Sequence, residues 1–270
     1  MTNTGLPLTG VGVLVTRPAH QAGNLADHIR RLGGEPVLFP ALEIEAVPVA
    51  LDADRLAHLD YAVFVSPNAA RLAMELIRAA GGLPADLRVA AIGPATAAEL
   101  EKSGLKKDRP RAIITGPEGF DSEALLASMA AEQVAGKRIA IFRGQGGRQF
   151  LGEMLRERGA AVEYVEVYRR VRPGGDMLAL LPRWQQGGIA ASIATSAEIV
   201  ANLFGMAGEA GRHWLCGAPM FVSHPRVAAT AFQRGVQALV VAGAGDEALI
   251  GALKTWFGRL RLENAVKPAS

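Results

Sequence analysis

Short apolar runs alternate along this chain with stretches whose apolar positions recur every three or four residues. GVGVLVT precedes an amphipathic stretch from His20 to Leu32, YAVFVS precedes Ala69 to Ala80, and LRVAAIG opens a further unit of the same kind. A period near two giving way to one near 3.6 marks strands followed by helices. Repeated almost from end to end, it predicts parallel sheet with crossover helices. Gly33-Gly34, Gly81-Gly82, Gly104, Gly136, Gly159 and Gly235 each follow a helical pattern, where a left-handed residue ends a helix.

Two stretches break the rhythm. Leu42 to Val49 alternates apolar with acidic residues, and Val162 to Val171 alternates apolar with charged or aromatic ones. Such alternation predicts exposed antiparallel strands, and a two-stranded ribbon joining two domains would use both.

Comparing the chain with itself explains why domains are expected in a pair. LVTRPAHQAGNLADHIRRLGGEPVLFP aligns with IAIFRGQGGRQFLGEMLRERGAAVEYVEVY, laying Arg17 over Arg143 and Gly33 over Gly159 at an offset of 126. YAVFVSPNAARLAMEL aligns with GIAASIATSAEIVANLF, Ser66 over Ser196 at 130. RVAAIGPATAAELEKSG aligns with PMFVSHPRVAATAFQRG, Pro94 over Pro225 and Gly104 over Gly235 at 131, and DSEALLASM with GDEALIGAL, Glu123 over Glu247 at 124. Four matches in one order at a nearly constant offset indicate two copies of one αβ module.

Composition narrows the class. With 270 residues, 50% hydrophobic and 20% charged, the chain is neither disordered nor collagen-like. No run approaches the roughly 18 apolar residues of a membrane helix, and MTNTGLPLTG lacks a leader's basic and apolar regions, so a cytoplasmic protein without a membrane partner is expected. Cys216 is the only cysteine, which excludes an internal disulfide and a thiolate zinc cage and suits a reducing compartment. Net charge is +3, and all but six of the 29 basic residues are Arg. They are scattered, which argues against a nucleic-acid stripe. Arg-rich surfaces favour small polyanions through bidentate contacts, although Arg also simply fills surface positions.

Open α/β sheets bind ligands where strand carboxyl ends meet helix amino ends. Those junctions here are Thr16-Arg17-Pro18, Ser66-Pro67-Asn68, Gly93-Pro94-Ala95-Thr96, Gly116-Pro117, Arg143 to Arg148, Thr195-Ser196 and Ser223-His224-Pro225-Arg226. Hydroxyls and prolines are also ordinary helix caps and first-turn residues, so capping and ligand binding both stand for each. The turn Arg143-Gly144-Gln145-Gly146-Gly147-Arg148 is more pointed. Its glycines let backbone N–H groups approach an anion, as in a nest. It lacks the Gly-Lys-Ser/Thr ending of a Walker loop and the spacing of a dinucleotide fingerprint. No metal spacing or Ser/His/Asp set stands out among the five histidines.

The succession VLVTRP, VFVSPNA, AIGPATAAEL, GFDSEALL, RGQGGRQFL, RGAAVEYVEVYRR, ATSAEIVANL and SHPRVA resembles the uroporphyrinogen-III synthase family along about 240 residues. The resemblance implies two flavodoxin-like αβα domains joined by a two-stranded antiparallel ribbon. Residues 1–41 with 172–258 would form a discontinuous first domain, 42–171 the second and 259–270 a polar tail. It also implies the reaction: hydroxymethylbilane is dehydrated and closed to uroporphyrinogen III with ring D inverted, by a monomer without cofactor or metal. On the same ground Tyr168 falls on the family's cleft tyrosine, as an acid assisting loss of the ring A hydroxyl or as a packing aromatic. Substrate-binding positions would be Arg17, Ser66, Asn68, Gly93, Thr96, Arg143, Gly144, Gly146, Gly147, Arg148, Ser196, Ser223 and Arg226. Where many relatives carry threonines this chain has Arg226 and Val227, which transfers any role there to the Arg226 charge. A non-catalytic two-lobe tetrapyrrole or small-anion sensor and a nucleotide-sugar transferase are the competing readings. The first would bind without converting, and the second lacks its phosphate fingerprint.

Overall fold

In the computed structural model, residues 5–105, 113–116 and 121–266 are described, the last four by backbone alone. The strands are β1 (Gly12–Val15), β2 (Glu35–Leu38), β3 (Glu43–Ala46), β4 (Tyr61–Phe64), β5 (Arg88–Ala91), β6 (Arg138–Gly144), β7 (Ala161–Val171), β8 (Ala191–Ala194), β9 (Met220–Val222) and β10 (Leu239–Val241). The α-helices are α1 (Ala19–Arg31), α2 (Ala53–Ala57), α3 (Pro67–Ala79), α4 (Gly93–Lys102), α5 (Ser122–Ala127), α6 (Ala131–Val134), α7 (Phe150–Glu157), α8 (Leu181–Gln185), α9 (Ala197–Gly217), α10 (Pro225–Gln233) and α11 (Asp246–Val266). Pro117 lies outside the described residues.

By its contacts the chain divides into two compact units, Met1–Glu43 with Val171–Ser270, and Ile44–Arg170. In the first unit a five-stranded parallel sheet runs β10-β9-β8-β1-β2. Counting only this unit's strands, that is the flavodoxin-like order 2-1-3-4-5. One face buries Leu25 and Ile29 of α1 with Leu249 and Leu253 of α11. The other buries Ile199 and Leu203 of α9 with Val227 and Ala231 of α10. All-parallel sheets need both faces covered, and β1 and β8 are accordingly buried at every position.

The second unit repeats the plan with its strands in a different chain order, β3-β7-β6-β4-β5. β7, β6, β4 and β5 are mutually parallel, and Ile114 bridges β5 at Ala90 where the first unit has β10. Helices α5 and α7 cover one face through Leu125, Leu151 and Leu155. The other is covered by α3 and α4 through Ala73, Ile77 and Leu100. Segments aligned by the internal repeat thus hold equivalent places: β1 and β6, α1 and α7, β8 and β4, α9 and α3, β9 and β5, α10 and α4, α11 and α5. Both members of the repeat pair Gly33 and Gly159 adopt positive φ, 81° and 84°, where a side chain would be strained.

The two alternating stretches pair with each other as expected. β3 lies beside β7, with Val47 N–H donating to the Val167 carbonyl at 3.0 Å and Arg169 Nε to Glu45 Oε2 at 2.8 Å. But β7 is an inner strand, parallel to β6, with Val165, Val167 and Tyr168 buried against the α3/α4 layer. Val162 and Tyr164 pack on the opposite face against the α5/α7 layer, so both faces of β7 are covered, and β3 takes the edge. The polar tail expected from residue 259 is also corrected. Helix α11 continues to Val266, because nothing between Arg259 and Val266 breaks a helix. Arg261 secures it by donating to the carbonyls of Leu6 and Thr9.

Candidate active site

In each sheet the strand order reverses at one place, between β4 and β6 in the second unit and between β1 and β8 in the first. Crevices at such switch points are where α/β sheets bind ligands. A cavity of about 450 Å³ opens beyond the carboxyl ends of β4 and β6, lined by Ser66, Arg143 to Arg148, Asp121, Ser122, Tyr164, Tyr168 and Arg170.

Tyr168 reaches it because of an irregularity in β7. Arg143 pairs with Glu166, yet the next residue, Gly144, pairs with Tyr168, so β7 carries one extra residue there. A bulge bends its strand and redirects side chains. Val167 and Tyr168 are consequently both buried, although neighbours on a regular strand face opposite ways. The ring packs on Gly144, where a Cβ would lie 2.5 Å from Tyr168 Cζ. Its hydroxyl stands 3.2 Å from Ser66 Oγ. Ser66 caps α3, accepting from Ala69 N–H at 3.1 Å, so the capping reading of this serine holds while the residue also lines the cavity.

The 143–148 turn divides its two guanidinium groups between different tasks. Arg148 is exposed and pairs with Glu123 at 3.2 Å. Arg143 is only 6% exposed and donates to the carbonyls of Gly144 and Arg148, both at 3.3 Å. Its Nη2 lies 3.4 Å from Glu166 Oε1. Gly146 holds φ +71°, and the N–H groups of Gly146 and Arg148 donate to no backbone acceptor among the described residues. An anion arriving here would meet free amides and one exposed guanidinium, and would compete with Glu123 for the charge.

The structure therefore brings together Ser66, Arg143, Gly144, Gly146, Gly147, Arg148 and Tyr168. Gly93, Thr96 and Asn68 do not line this cavity: Gly93 starts α4 at φ +74°, Thr96 is buried beneath that helix at 2% exposure, and Asn68 sits in the first turn of α3. In the first unit Ser196, Thr195, His224 and Arg226 line a separate cavity of about 330 Å³. Ser196 caps α9 through Ile199 N–H. Ser223 Oγ donates to the Thr195 carbonyl at 3.0 Å, and His224 Nδ1 accepts from Arg226 N–H at 3.1 Å. Arg17, the repeat partner of Arg143, is ion-paired with Asp246 and largely buried. The residue aligned with Asp246 in the second unit is Ser122, so Arg143 has no carboxylate from that side. Tyr164, Glu166, Asp121 and Ser122 are not singled out by their residue types. Asp121 has a signal in the D-x-x-A cap pattern it forms with Ala124, whereas nothing local marks Tyr164.

No group of three His, Cys, Asp or Glu side chains among the described residues is placed to hold a metal ion, and no helix among them is long and apolar enough to cross a membrane.

Strand order and cavity placement define the class, a two-unit flavodoxin-like α/β protein with its ligand-type cavity at a sheet switch point. The chain belongs to the uroporphyrinogen-III synthase family, since the family model described as uroporphyrinogen-III synthase HemD matches residues 23–251. It is 35% identical over 256 residues to the uroporphyrinogen-III synthase of Salmonella typhimurium strain LT2, covering 90% of this chain and 100% of that one. With the enzyme of that name from Escherichia coli K12 it is 32% identical over 253 residues, again covering 90% and 100%. Among solved structures, a mutant uroporphyrinogen III synthase from the extremely thermophilic bacterium Thermus thermophilus superposes with a TM-score of 0.56 at 22% identity, over 94% of this chain and 99% of that one, a likeness of fold.

Proposed function

We propose that this protein dehydrates and cyclises hydroxymethylbilane to uroporphyrinogen III, inverting ring D, in tetrapyrrole biosynthesis. The observation that carries the reading is the family match, which extends over the whole length of the Salmonella and Escherichia relatives at 35% and 32% identity. The geometry of the second unit suits the chemistry. Substrate and product each bear eight carboxylates, and the 143–148 turn offers free amides at a helix amino end, each such end contributing about 0.3–1 kcal/mol to an anion. Tyr168 is the acid we assign to the departing hydroxyl of ring A: a phenol is protonated at neutral pH, and Ser66 Oγ, 3.2 Å away, fixes its direction. Ser66, the Arg148 guanidinium and the amides of Gly146 and Arg148 hold propionate or acetate arms there. We assign Ser196 and Arg226 to anion binding at the first unit's own cavity. Binding the bilane in a folded shape supplies further rate by orientation. We read the protein as a monomer acting on this small molecule in the cytoplasm, the compartment being supported by its lone cysteine.

The test is the purified protein with freshly made hydroxymethylbilane, reading the isomer ratio of the oxidised products. Predominance of isomer III is expected. Isomer I alone, formed at the rate seen without protein, overturns the reading. Tight product binding with no change in isomer ratio would make the chain a sensor instead.

A further inference from the structure

Arg143 occupies the position where a ligand-binding charge is expected, yet every bond of its guanidinium is spent inside its own unit. Two of its N–H groups grip the carbonyls at the two ends of the turn, Gly144 and Arg148, and a third faces Glu166. Its plane lies over the ring of Tyr164, with Cζ 4.4 Å from the ring centroid. That ring is fixed independently. Its hydroxyl donates to the Gln149 carbonyl at 2.9 Å, and Arg156 lies over the same ring at 5.1 Å. Gly152 leaves it room, since a Cβ there would stand 2.2 Å from the Tyr164 hydroxyl.

One peptide plane connects this assembly to Tyr168. The carbonyl of Gly144 points to Arg143, and the N–H on the opposite side of the same peptide, that of Gln145, donates to the Tyr168 carbonyl at 2.8 Å. Because the peptide unit is planar, fixing one end fixes the other. We infer that Tyr164 is a positioning residue: by stacking on Arg143 it holds the guanidinium that shapes the anion-binding turn and sets the backbone from which Tyr168 projects. Arg143 is then an internal clamp, and the anion meets the turn's amides and Arg148. The inference rests on reading this cavity as the substrate site, and it has Tyr164 act through Arg143.

The experiment compares Tyr164→Phe, which keeps the ring, with Tyr164→Leu, which removes it, in the full chain. Amide hydrogen exchange of Gln145, whose N–H is bonded to the Tyr168 carbonyl, is measured without substrate, and KM and kcat for hydroxymethylbilane well below the melting temperature. Removing a stacked cation–ring contact is expected to speed exchange in the turn and raise KM, each about tenfold or more. Tyr164→Phe is expected to stay within about threefold of the parent, as a ring-borne effect requires. Destabilisation alone would lower Tm without moving KM at the lower temperature. If Tyr164→Leu does not fold, Arg143→Lys tests the same clamp. An ammonium keeps the charge but lacks the planar fork that spans two carbonyls, so the same pair of changes is expected. Unchanged turn exchange in the leucine or lysine variant overturns the inference, as does a phenylalanine variant as impaired as leucine. A parent protein that converts no bilane would instead remove the functional reading, and the exchange measurement would still decide the clamp.

Discussion

The hydroxyl of Tyr168 and Oγ of Ser66 stand 3.2 Å apart across the carboxyl ends of β7 and β4, although 102 residues separate them in the chain. Ser66 Oγ already accepts the N–H of Ala69 but keeps its own proton, so it can donate to the phenol oxygen and leave the phenolic proton free. Such a pair directs a phenolic proton rather than consuming it. Tyr168→Phe is expected to lower kcat by about 10²-fold, the lower range for a general acid, with KM and Tm nearly unchanged. Near-full activity in Tyr168→Phe combined with loss in Tyr168→Ala would make the ring a positioner and place the acid elsewhere.

Gly144 is the floor on which that ring rests. Gly144→Ala places a methyl group 2.5 Å from Tyr168 Cζ, closer than carbon atoms approach, so the ring or the bulge must shift. A misplacement of about 1 Å at a reacting group costs on the order of 10²-fold in rate. The expected outcome is a loss of kcat comparable to that of Tyr168→Phe, with a crystal structure showing the displaced ring. Full activity with an unmoved ring would mean that the contact absorbs a methyl group without consequence.

Element order and the internal repeat are legible in the sequence because they rest on local properties. Apolar period, cap residues and C′ glycines such as Gly33 and Gly159 are written within a few positions of where they act. What escapes depends on partners distant in the chain. The bulge in β7 exists only relative to the register of β6, so VEVYRR read alone suggests a regular alternating strand. Arg17 looks as available as Arg143 until α11 delivers Asp246 from 229 residues away. Thr96 reads as a junction hydroxyl, but its place on α4 turns it inward. The helical continuation beyond residue 259 is obscured by its polar composition, which is compatible with an exposed helix as much as with a tail.

Asp60, at the opposite end of the second sheet, is a stability group rather than a site residue. The N–H of Arg138 donates to its Oδ2 at 2.8 Å, and this bond, working against burial and helped by Lys137 at 2.9 Å, holds its carboxyl below the usual carboxylate range. A folded-state value below the unfolded one gives stability that is present above the unfolded value, near 3.9, and lost as pH falls through the folded one. Asp60→Asn is therefore expected to melt lower at pH 7, by about 2–4 °C for a loss of about 1 kcal/mol. The gap should close as pH drops below about 4. A gap independent of pH between 7 and 3 would show that the charge of Asp60 contributes nothing.

The two arginines of the 143–148 turn should separate by salt. The Arg148 side chain is 68% exposed, so its pull on a carboxylate is screened as ionic strength rises and the Debye length shrinks from about 10 Å at 0.1 M to about 3 Å at 1 M. Arg148→Ala should weaken binding of the polycarboxylate product at low salt and match the parent at high salt. The Arg143 side chain is 7% exposed and acts through buried bonds of 3.3 Å to two carbonyls, which mobile ions do not reach. Its loss should persist at every salt concentration, each charge-assisted bond being worth roughly 1.5–3 kcal/mol. The double variant should therefore show a constant deficit from Arg143 with a salt-dependent one from Arg148 added to it. Titration of product by fluorescence at several salt concentrations reads both. If Arg143→Ala recovers parental affinity at high salt, Arg143 acts as an exposed charge and not as a clamp. If neither variant changes affinity at any salt concentration, the turn lies outside the product-binding surface.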